Sequence, residues 1–155
     1  MIKFCGMLCD LIFKAKNFDV DSTAAMLTIV PYSIWRQGEH SSRRDARKTF
    51  SESGLSFTAS DADLDSFKQQ VAEVISFIKA NRQDLLILRD LNNCLEEATL
   101  NFHFGITTRL FTVGVQVDFS PAELITLCAE IGAGIIMSQY PPSTDEEDTD
   151  ANGMN

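Results

Sequence analysis

Two histidines, His40 and His103, and four cysteines, Cys5, Cys9, Cys94 and Cys128, are the side chains here best suited to proton transfer, metal ligation or nucleophilic attack. Their spacing points away from a reactive centre. Cys5 and Cys9 stand four apart in a stretch that reads as a strand, about 13 Å end to end, too far to share one tetrahedral metal. Only a helical segment would bring them together. All four cysteines lie among apolar residues and lack the density of a disulfide scaffold, so they are expected as free buried thiols in a reducing compartment. His103 occupies an outward position in an alternating stretch and is expected to be solvated. It would gain chemical interest if a carboxylate such as Asp10 lay beside it on the same face. His40, next to Glu39 in a polar loop, reads as a surface group.

The remaining motifs fail on context. Gly132-Ala133-Gly134 follows a helical pattern, whereas a dinucleotide loop follows a strand and opens a helix, so it reads as a helix stop. Gly54-Leu55-Ser56-Phe57 lacks the second glycine of a nucleophile elbow, and no phosphate-loop lysine motif is present. Glu96 and Glu97 are adjacent and would point to opposite sides of a strand. The expectation is therefore no catalytic, metal-binding or cofactor-binding set, and no cofactor.

Two stretches suit binding instead. Between Pro31 and Lys48 lie Trp35 and the bases Arg36, Arg43, Arg44, Arg47 and Lys48, against Glu39 and Asp45. This reads as a long exposed loop, solvated or offering Trp35, Arg36, Arg43 and Arg44 as a contact patch, since tryptophan with arginine commonly anchors interfaces. Asp61, Asp63 and Asp65 form the second stretch. Placed at a helix start they would meet its dipole favourably, and they could also face a cationic partner.

A chain of 155 residues with 45% apolar content is long enough for one domain with a real core. The net charge of −9 is concentrated at the end of the chain. Residues 143–155 hold five acids and no base, and without them seventeen acids face thirteen bases. A mildly anionic body argues against binding nucleic acid through its phosphates. No apolar run reaches the length of a membrane span, and residues 4–9 are too short for a signal segment. A cytoplasmic protein is expected, with one domain over 1–142 and an acidic disordered tail over 143–155.

Periodicity then supplies the elements. Met7 to Ala15 alternates as a strand with Cys9, Leu11, Phe13 and Ala15 on one side. Asp21 is placed as the cap of a short helix reaching about Ile29, with Ala24, Ala25, Met26 and Ile29 as its apolar side. Phe50 to Thr58 reads as a strand or small hairpin around Gly54. Ser60 and Asp63 suggest a capping box for a long helix of about 27 Å, with Leu64, Phe67, Val71, Val74, Ile75 and Ile78 inward. Its outer face is assigned Lys68, Gln69, Gln70, Glu73 and Lys79. Asp84 to Leu91 reads as a further short helix. Glu97 to Phe104 is the plainest strand, and Gly105 to Arg109 is expected to turn it into an antiparallel hairpin with a strand over 111–117. Ser120-Pro121-Ala122-Glu123 reads as a capping box before an apolar stripe of Leu124, Ile125, Leu127, Cys128 and Ile131. Gly132 stops that helix, and Ile135 to Met137 begin a last strand.

Phe18-Asp19-Val20-Asp21 before the first helix parallels Val117-Asp118-Phe119-Ser120 before the last, which suggests two similar strand–helix units. The expected fold is α+β, a mainly antiparallel sheet with helices packed on one face. The other face would show Thr99, Asn101, His103, Thr112 and Gln116.

The order of these elements, with Pro31 followed by Gly38, a strand near Leu55, a long helix, and a closing Ser120-Pro121, Gly132 and Tyr140, resembles a bacterial family called domain of unknown function 4279. The likeness covers about Met7 to Tyr140, and Leu55 stands where that family tends to have tryptophan. Small single-domain bacterial proteins of this type look like immunity partners of polymorphic or contact-dependent toxins. The resemblance implies a non-enzymatic binding protein whose partner is a cognate toxin, and it carries no catalytic residues. Two other classes stand beside it: a small-ligand or regulatory module, and an enzyme built around His103 or His40.

Overall fold

Leu11, Phe13 and Ala15 alternate with Ile12 and Lys14 along β1 (Cys9–Ala15), which is the middle strand of a five-stranded sheet. The computed structural model describes residues 9–40, 48–107 and 121–141. On one side β1 pairs antiparallel with β3 (Ser53–Ser60), which pairs with the short edge strand β2 (Ser33–Trp35). On the other side it pairs antiparallel with β4 (Thr99–Thr107), which runs parallel to β5 (Gly134–Tyr140). The spatial order is β2-β3-β1-β4-β5.

Four helices cover one face of this sheet: α1 (Val20–Met26), α2 (Phe67–Ala80), α3 (Arg82–Cys94) and α4 (Ala122–Glu130). Leu11, Phe13, Leu55, Phe57, Leu100, Phe102 and Phe104 rise from the strands to meet Val74, Ile78, Leu85, Leu88, Leu124 and Cys128 in one continuous core. Phe67 and Phe77 on α2 set their rings edge-on against Phe104 and Phe102. The α+β class, the mainly antiparallel sheet and the one-sided helical layer are as expected.

Several local expectations are corrected. α1 is capped by Asp19 rather than Asp21: its Oδ1 accepts from the Ser22 N–H at 3.0 Å and its Oδ2 from the Ser22 hydroxyl. Val20, Thr23 and Leu27 are buried around α1 and Ala24 and Ile29 pack against the core as expected, whereas Ala25 and Met26 are exposed. α2 starts at Phe67, not Leu64, so it is about 21 Å long. Ser60 belongs to β3, and no capping box forms with Asp63. β3 is one strand through Gly54 rather than a hairpin, and the loop before it contains β2. α3 extends to Cys94, well past Leu91.

The turn expected from Gly105 begins no earlier than residue 108. β4 continues through Gly105 to Thr107, pairing with β1 over Thr99–Phe104 and with β5 over Asn101–Thr107. The expected strand over 111–117, with Thr112 and Gln116, lies outside the described residues, as do Ser120 and the 143–155 tail. α4 has Pro121 as its N-cap with no side-chain bond. Its stripe buries Leu124 and Cys128 but leaves Ile125 exposed. Gly132 takes φ +65°, the left-handed stop expected. The two proposed units differ in surroundings, because α1 packs on β3 while α4 packs on α2 and β5.

Candidate functional site

Because side chains alternate along a strand, the residues between the core positions all reach the opposite face of the sheet, which is helix-free among the described residues. β1 places Asp10, Ile12 and Lys14 there, β4 Thr99, Asn101 and His103, and β3 Gly54, Ser56 and Thr58. Register sets the rows: Thr58, Asp10, His103 and Ile136 stand side by side across four strands. The condition under which His103 gains interest is therefore met, since Asp10 is its direct cross-strand neighbour.

Asp10 is only 5% exposed, as is Ser56, one diagonal step away. Among the described residues Asp10 Oδ1 and Ser56 Oγ have no hydrogen-bond partner. Burial pushes the Asp10 carboxyl up to about 6. His103 is half-buried, and burial together with the Lys14 ammonium lowers its pKa. Lys14 is itself bridged to Glu52 at 2.6 Å. Near neutral pH the pair is thus a carboxylate beside an uncharged imidazole, able to accept hydrogen bonds and to exchange protons in mildly acid conditions.

The order of groups limits the chemistry. In a serine–histidine–acid relay the imidazole stands between hydroxyl and carboxylate. Here β1 holds Asp10 between Ser56 on β3 and His103 on β4, so the carboxylate is in the middle and His103 is not placed to activate Ser56. Cys9 and Cys128 face the core, where burial raises both thiols, Cys128 to about 11, away from the thiolate form. Cys94 is exposed on the last turn of α3. Cys5 lies outside the described residues. Glu97 sits in the turn before β4 rather than on a strand, with φ +53° and its carboxylate on Lys16. Among the described residues no group of three or more histidine, cysteine or acidic side chains is arranged to hold a metal ion.

The binding residues expected from the sequence fall at two ends of β3. Trp35 and Arg36 are at its start. The Trp35 indole lies against Gly54 on the neighbouring strand and stacks, tilted, on Phe50 at 6.1 Å. Arg36 bridges Asp21 on α1 and Glu39, and so ties the loop to the body. Both are engaged within the fold, Trp35 half-buried and Arg36 exposed. Arg43 and Arg44 lie outside the described residues. A Cβ at position 54 would collide with the indole. Gly54→Val is expected to displace Trp35, red-shifting the emission of this single tryptophan and costing about 2 kcal/mol in denaturant unfolding.

Asp61, Asp63 and Asp65 follow the far end of β3, about 20 Å from Gly54 at strand rise. They are exposed and precede α2 instead of occupying its first turn, with Asp65 next to the N-cap Ser66. The loop that carries them is held at several points. Ser60 Oγ accepts from the Ala62 N–H and donates to Glu73 at 2.6 Å. The Ser60 and Gln69 hydrogen bonds hold the Glu73 carboxyl below its usual range. Leu64 accepts from the Thr107 N–H at 3.1 Å. Below the loop Gln70, fully buried, donates through Nε2 to the carbonyls of Asp63 and Gly105, each at 2.9 Å, and to Ala62. No ion pair reaches these three aspartates among the described residues, whereas Lys79, Arg82 and Arg89 each bridge an acid.

Gln70 corrects an assignment to the outer face of α2. Its spacing from Phe67 and Val74, three and four residues, already places it on the buried stripe. Gln70→Leu is expected to leave the loop carbonyls without their donor, costing about 2 kcal/mol and raising amide exchange over 61–65.

Asp84 has no comparable signal in the sequence. Its Oδ2 accepts from the Thr28 N–H, the Thr28 hydroxyl and the Ile29 N–H, at 2.7 to 2.9 Å, from 55 and 56 residues away.

No protein-family model, curated protein or solved structure matches this chain.

Proposed function

We propose that this chain is a non-enzymatic binding protein of the immunity type, one that neutralises a cognate bacterial toxin in the cytoplasm by direct protein–protein contact. The observation that supports this most is the loop of Asp61, Asp63 and Asp65: exposed, lacking counter-ions among the described residues, and held in shape from beneath by Gln70. A rigid anionic loop loses little conformational freedom on docking, and its charge speeds encounter with a basic surface while disfavouring acidic ones. No helix of the described residues is long and apolar enough to cross a membrane, in keeping with that setting.

The experiment is co-expression with the product of the adjacent gene. Growth should be restored and a one-to-one complex recovered; undiminished toxicity would remove this reading. Reversing charge at Asp61, Asp63 and Asp65 to lysine should slow association about tenfold or more at low salt, with the fold retained. If stopped-flow association is unchanged, the acidic loop is not the contact surface.

A small-ligand module remains as a second reading because of one observation: Asp10 and Ser56 bring unpartnered, buried oxygens to adjacent strands of the helix-free face. A ligand held there should raise the melting temperature of the natural protein and not that of Asp10→Asn. A thermal-shift hit that is equal in both would count against that face.

A further inference from the structure

We draw no further inference here: the strongest candidate, the exposed apolar patch of Met26, Val30 and Tyr32 where α1 gives way to β2, is a surface with nothing in the structure to show what covers it, and the Asp10–His103 pair belongs to the site already described.

Discussion

Replacing Asp84 with alanine should destabilise the protein by about 3 kcal/mol, through loss of three charge-assisted hydrogen bonds to one carboxylate oxygen. Each bond is worth roughly 1.5–3 kcal/mol to a charged acceptor, but Thr28 is exposed and recovers part of its loss from water. The carboxylate also stands in the first turn of α3, where the helix N-terminus favours negative charge. Burial opposes ionisation of Asp84, yet the hydrogen bonds from Thr28 and Ile29 outweigh it, and the net pKa is lowered. Folding therefore favours the ionised form. Its contribution is complete above the unfolded value, near 3.9, and disappears as pH falls through the lower folded value. Asp84→Ala should accordingly lower the melting temperature by about 10 °C at pH 7, and the gap should narrow in strong acid. Equal melting temperatures at pH 7 would show that the clamp on residues 28 and 29 contributes little.

Asp10→Asn is expected to act in the opposite direction. A carboxyl raised from 3.8 to about 6 is held more readily neutral than charged by the folded state. Between those values the native protein binds more protons than the unfolded chain, so stability falls as pH rises through the window and stays low above it. Two pKa units correspond to roughly 3 kcal/mol, which the neutral amide recovers. Urea unfolding at pH 7.5 should show Asp10→Asn more stable by about 2–3 kcal/mol, and the difference should vanish near pH 4. A less stable variant at pH 7.5 would mean that the ionised carboxylate has a favourable partner. The same substitution removes the charge opposite His103, so its imidazole should titrate at lower pH by proton NMR.

These two residues behave oppositely although both are aspartates with little exposure, 5% for Asp10 and 4% for Asp84. What separates them is the supply of donors. Asp84 meets two backbone N–H groups and a hydroxyl, while Asp10 Oδ1 meets none among the described residues. Destabilising burial of an acid on the helix-free face, beside a histidine, is the kind of local cost that proteins retain at functional positions.

The periodicity of Leu11 and Phe13, of Leu100, Phe102 and Phe104, and of Val71, Val74 and Ile78 was enough to determine strands, the long helix and their inward faces. The reason is local: alternation and helical spacing are properties of neighbouring residues, and burial of the apolar side follows from them. Gly132 was legible for the same reason, as a left-handed stop at the end of an apolar stripe. Even Gln70 lay open to reading, by its spacing from Phe67 and Val74. Tertiary structure alone decided which strands are neighbours. β4 could be recognised as a strand, but its partners β1 and β5 lie far along the chain on either side, and no local pattern encodes that choice. The β1–β4 pairing sets Asp10 against His103, the β1–β3 register adds Ser56 beside it, and the packing of the segment after α1 against α3 brings Thr28 and Ile29 to Asp84. Side-chain chemistry was written in the residues; the company each side chain keeps depended on strand order and register, which only the folded whole establishes.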